Sequence, residues 1–145
     1  MQSRRELILE AVRSQLRAAL PASVKVQRSR LTAVPRGEGL VVVVLPQLEE
    51  HESPLQTASE RRLRIQVSVI ARGAIPEQVA DDTACRIYVA LAGSHAARTL
   101  GGLATDTNEL ARQFLMEAAD QDAIDYQMIF QITYYTAFTD ETVGA

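Results

Sequence analysis

Ile124-Asp125-Tyr126-Gln127-Met128-Ile129-Phe130-Gln131-Ile132-Thr133-Tyr134-Tyr135 places an apolar residue at every even position from Ile124 to Tyr134. Strand side chains alternate between two faces, so a period of two held through six positions predicts a half-buried β-strand. A second segment, Arg61 to Arg72, follows the same rule: Leu63, Ile65, Val67, Val69 and Ala71 face one way, and Arg62, Arg64, Gln66 and Ser68 the other. Two long amphipathic strands need a common cover for their apolar faces, which implies a sheet with a second layer on one side.

The remaining segments supply that cover and the rest of the sheet. Leu40 to Leu45 is an uninterrupted aliphatic run closed by Pro46, which reads as a central strand. Val24 to Ser29 is a short extended piece, and Val34 to Gly39 is a turn-rich connector. Arg4 to Leu20 reads as a helix: Ser3 and Glu6 have capping-box spacing, Ile8, Val12, Leu16 and Ala19 form a stripe, and Pro21 ends it. A second helix opens at Pro76 with Glu77 in its first turn, carries Ala80, Ala84, Ile87 and Leu91 at helical spacing, and stops at Gly93. Gln47 to Ser59 is polar, acidic and interrupted by Pro54, as expected of a long surface loop or a projecting hairpin tip. Leu100 to Ala104 reads as extended, with Gly101-Gly102 letting a turn enter a strand. Glu109 to Ala119 has mixed preferences, for Leu110, Phe114, Leu115 and Ala118 equally mark a helix face. Strands in groups, without a helix after each one, favour an α+β fold: a mainly antiparallel mixed sheet with two helices packed on one face. Residues 1–145 are expected to form a single domain with a projecting loop at about 46–60.

Composition narrows the function class. The chain is 47% hydrophobic and 23% charged, ordinary for a globular protein, and the apolar run Leu40–Leu45 is far short of the ~20 residues that span a membrane. The amino terminus lacks the apolar middle of a secretory signal, so a cytoplasmic setting is expected. Cys85 is the sole cysteine, which excludes an internal disulfide, and it reads as a small buried residue on the second helix. Net charge is −3, but residues 1–72 hold 12 lysines and arginines against 7 acids, whereas residues 73–145 hold 3 against 11. Halves of opposite sign either neutralise one another within a subunit or draw copies of the chain together.

No catalytic, cofactor-binding or metal-binding set emerges. His51 and His95 lie in polar loops without a partner at metal-ligand spacing. Nucleophile elbows, phosphate loops and dinucleotide fingerprints are missing from the sequence. The carboxylates Asp81 and Asp82, and Glu117, Asp120, Asp122 and Asp125, read as a solvated helix start and a turn. The basic stretches Lys25 to Arg30 and Arg61 to Arg64 lack interleaved aromatics, which argues against sequence-specific nucleic-acid binding. What remains is a candidate protein interface: the acidic Glu49, Glu50 and Glu52 with the basic Arg61, Arg62 and Arg64 just beyond.

Several of these strings, in this order, resemble the tail terminator proteins of long-tailed phages, the minor tail protein U-like family. The resemblance covers most of the chain: the amphipathic first helix, Leu40 to Leu45, Leu63 to Ala71, the acid-started helix at Pro76, Leu100 to Ala104, and Phe130-Gln131-Ile132-Thr133-Tyr134-Tyr135-Thr136. Family members look extended through the region of Glu109 to Ala119. The resemblance implies a structural virion protein without catalysis or cofactor. It would be assembled in the host cytoplasm into a hexameric ring at the head-proximal end of the tail. Its partners would be the tail-tube protein and the head–tail connector or neck proteins, with DNA passing through the ring and no membrane involved. A connector or neck completion protein, and a small non-phage enzyme or binding domain, are the competing expectations.

Overall fold

The computed structural model describes residues 2–28, 39–52, 58–73, 75–116, 123–137 and 140–144. Helix α1 runs Arg4–Ala19, and the Ser3 hydroxyl accepts the Glu6 amide at 3.2 Å, so the expected cap is made. Helix α2 runs Pro76–Ala92 with Pro76 and Glu77 in its first turn and Gly93 at its end. A short helix α3, His95–Arg98, follows. The strands are β1 (Lys25–Arg28), β2 (Val41–Glu52), β3 (Ala58–Arg72), β4 (Asp106–Met116), β5 (Ala123–Ala137) and β6 (Asp140–Gly144). They form one open sheet in the order β1-β2-β3-β5-β4, with β6 also on β5. Among the described residues β1 and β2 are parallel and the other pairings are antiparallel. The fold is α+β.

Alternation decides which face is covered. Leu63, Ile65, Val67, Val69 and Ala71 of β3, with Tyr126, Met128, Phe130, Ile132 and Tyr134 of β5, are buried in one cluster with Ile8, Val12 and Leu16 of α1 and Ala80, Ala84, Ile87 and Leu91 of α2. Both long helices therefore lie on the same sheet face, as their stripes require. The opposite face carries a small apolar group, Val41, Val43, Ile70 and Ala123 with Leu45 packed against it, and elsewhere mixes polar side chains such as Gln66, Gln127 and Gln131 with Ile129 and Tyr135.

Three local expectations are corrected, and one reading left open, the third below, is decided. First, β2 does not stop at Pro46 but continues to Glu52, with a register shift between Pro46 and Leu48. Proline lacks a ladder donor and belongs at edges and bulges; Pro46 stands at the register shift of the β2–β3 ladder, and among the described residues β1 pairs only as far as Val44. The loop expected at about 46–60 is thus strand over Gln47–Glu52 and from Ala58 onward, and residues 53–57, with Pro54, lie outside the described set. Second, Leu100–Gly102 is a 3-10 turn rather than a strand, because Leu100, Gly101 and Gly102 all have positive φ (51°, 69° and 93°). A left-handed leucine costs about 1–2 kcal/mol, and burial of its side chain holds it there. Third, Asp106–Met116 is a strand despite its helix-forming composition, because β5 offers it a complete ladder with a bulge between Glu109 and Ala111. Fourth, Cys85 lies on α2 but is exposed, one position past the inward Ala84.

The Val34–Gly39 connector and the Glu117, Asp120 and Asp122 cluster fall mostly or wholly outside the described residues.

Candidate functional site

The six candidate interface residues meet on one long hairpin, β2–β3, and its two faces treat them differently. Glu50 is directly opposite Arg62, and His51 opposite Arg61. On the outward face Arg62 pairs with Glu52, and Arg64 lies 3.8 Å from Glu50. These four side chains form an ion-pair ladder in contact with solvent, continued by the Gln47–Gln66 hydrogen bond of 2.9 Å. The expected outward placement of Arg62 and Arg64 is what the structure has.

Glu49 and Arg61 face the other way, under the start of α1, and their side chains are only 11% and 12% exposed. Glu49 accepts from Arg5 at 2.8 Å and from Tyr134 Oη, and lies 3.4 Å from Arg61 Nη1 and 3.0 Å from His51 Nε2. Arg61 also donates to Thr136 Oγ1 at 3.1 Å and to Glu141 at 3.0 Å. Burial by itself would raise the Glu49 pKa; the hydrogen bonds from Tyr134 and His51 and the charges of Arg5 and Arg61 outweigh it and hold the carboxyl below its ordinary value. Burial, then the bond to Glu49 and its negative charge, push the Tyr134 phenol above its ordinary value. Glu49 and Arg61 therefore close the end of the core, whereas the segment from Gln47 was expected to lie at the surface. Sequence reading missed this hub, although one signal was present. Tyr134 is the last apolar residue of the alternating row, and a buried phenol needs a polar partner.

Two further surfaces lie at the ends of the sheet. Along β4 all of residues 111–115 are exposed, including Phe114 and Leu115, although Phe114 also meets Tyr126 edge to face with centroids 4.2 Å apart. At the other end α1 and β1 form a basic corner, where Arg17 and Lys25 are exposed. Among the described residues no group of three or more His, Cys, Asp or Glu side chains has metal-site geometry. His51 is engaged with Glu49, and His95 begins α3.

The described residues thus form an open sheet with helices on one side and charged or apolar surfaces on its hairpin and edges. No family model matches the sequence, and no curated protein matches it either. Solved structures do share the fold. A chain from the virion of a native gene transfer agent particle superposes with a TM-score of 0.58 at 18% identity, over 86% of this chain and 92% of that one. A chain from a cryo-EM structure of an extracellular contractile injection system, described as the PVC sheath/tube terminator in its extended state, gives 0.56 at 10% identity. That match covers 97% of this chain, which spans 60% of the other's length. At such identities the likeness is one of fold, and it agrees with the resemblance to tail terminators carried by the sequence. β4 is extended from Asp106 to Met116, as members of that family look in this part of the chain.

Proposed function

We propose that this chain is a structural protein of a phage-type virion that acts as a tail terminator. It forms a ring, hexameric by the family resemblance, on the last ring of tail-tube subunits at the head-proximal end. The ring ends tube polymerisation and offers a surface to the connector or neck proteins, with DNA passing through it. The role needs no catalysis and no cofactor. The observation that carries this reading is the fold likeness to a sheath/tube terminator chain over 97% of this chain. Of the six candidate interface residues, Glu50, Glu52, Arg62 and Arg64 of the outward ladder are the ones left to meet a partner, since Glu49 and Arg61 are committed to the core.

Electron microscopy of the purified protein mixed with tail-tube subunits tests the reading. Tubes of limited length, each with density closing one end, are expected; tubes that grow unchecked with no bound protein would overturn it. A head-completion or neck protein is the second reading, since the likeness to a chain of a gene transfer agent virion is compatible with either place in a particle. Binding to portal or connector rings in place of tubes would select that reading.

A further inference from the structure

Two hollows at opposite ends of the sheet are complementary in charge. At the β4 end a hollow of about 410 Å³ is lined by Phe114 together with Glu77, Asp81, Asp82 and Cys85 of α2. Phe114 is 52% exposed, and all four α2 residues are exposed as well. At the β1 end a hollow of about 530 Å³ is lined by Arg17, Pro21, Ala22, Val24 and Lys25. One surface is an aromatic ring in an acidic surround; the other is a small-residue floor with two cations beside it. Among the described residues neither β1 nor β4 has a strand on its outer side.

These surfaces cannot meet within one subunit. Four strand spacings separate β1 from β4, which at about 4.8 Å each is roughly 19 Å. Nor does either fit its own copy, because a two-fold contact would set like charges against one another. Between two copies placed head to tail they match: an exposed aromatic anchor enters a hollow, and unlike charges meet around it. Contacts between unlike surfaces repeat from copy to copy and form a ring where the rotation closes. We propose that Phe114 and its acidic surround seat in the basic hollow beside β1 of a second copy, and that this is the subunit contact of the ring. The inference rests on the ring reading given under Proposed function and names the surfaces that build it.

Cys85 makes the contact testable, because it lies in the acidic hollow and is the chain's sole cysteine. Oxidation of the native chain can link at most two copies. Ala22→Cys adds a thiol in the basic hollow of an otherwise native chain. Oxidation of that variant at low ionic strength is expected to give a ladder of multimers in which position 22 of one copy is joined to Cys85 of the next. Phe114→Asp in the same background is expected to reduce the ladder about tenfold or more, as for loss of an interface anchor. Asp81→Arg should reduce it too, and Arg17→Glu added to Asp81→Arg should restore it, an outcome that misfolding would not produce. Peptide mapping that finds only links between identical positions, or a ladder indifferent to Phe114→Asp, overturns the proposal. Tube capping by the same variants separates the two readings. Capping without the position 22–Cys85 link overturns this contact and leaves the terminator role standing. The link without capping leaves the contact standing and overturns the role.

Discussion

Phe130 and Gln131 are neighbours in β5 with opposite surroundings: Phe130 is fully buried among the helices, and Gln131 is half-buried on the polar face. Phe130→Ala is expected to cost about 3–5 kcal/mol and Ile132→Ala about 2–5, large fractions of a stability of about 5–15 kcal/mol. Gln131→Ala should stay within about 0.5 kcal/mol. Urea unfolding of the three variants checks this, and equal losses at 130 and 131 would contradict the facing. Glu49 adds a pH dependence. Its folded-state pKa lies below the ordinary glutamate value of 4.5, so its stabilisation is complete above that value and is lost as pH falls through the lower one. Glu49→Gln should cost about 1.5–3 kcal/mol near neutrality, the worth of a charged hydrogen bond. The gap to the native protein should close as acid is added; thermal melts that keep a constant gap down to pH 3 would show that the carboxylate is not the source. The inward row was legible because alternation alone defines it. Glu49 was not, since its burial follows from a strand partner, Leu63, that only the register supplies.

At the scale of elements, the outward ladder and the inward hub of the β2–β3 hairpin separate by mutation. Reversing Glu50 and Glu52 to Lys is expected to shift the melting temperature little, because exposed ion pairs are worth about 0–1 kcal/mol each, yet to abolish tube capping. Including Glu49→Lys should unfold the end of the core as well. If the double reversal still caps tubes, the ladder is passive surface and the partner binds elsewhere. Helices α1 and α2 were legible from their caps and stripes. The loop before β3 was misread because acidic residues and proline mark turns in isolation, while here Pro46 sits at a register shift of the β2–β3 ladder and Arg62 and Arg64 answer Glu50 and Glu52 across it. β4 was ambiguous for a related reason: Glu109-Leu110-Ala111-Arg112 favours a helix locally, and the pairing with β5 overrides that preference.

Over the whole molecule, ion pairs such as Arg28–Glu6 and Arg98–Asp106 stay within one half of the chain, while Arg5 and Arg61 reach across to Glu141. The halves thus keep opposite-signed surfaces, such as the corner with Arg17 and Lys25 and the start of α2 with Glu77, Asp81 and Asp82. Oligomers are therefore expected to weaken as salt rises from about 0.01 M to 1 M, where the screening length falls from about 30 to 3 Å. Sedimentation across that range reads the effect, and a salt-independent distribution would assign assembly to apolar contacts alone. The strand order also governs how the chain comes into being. Ile65 pairs with Phe130, so the central β3–β5 ladder joins residues 65 positions apart. During synthesis at about 5–20 residues per second, the apolar row of β3 emerges roughly 3–13 s before its partner, with only the hairpin to β2 to shield one edge. The nascent chain is thus a client for chaperones until its last strands leave the ribosome, and a copy truncated before Ala123 would be sticky rather than merely incomplete.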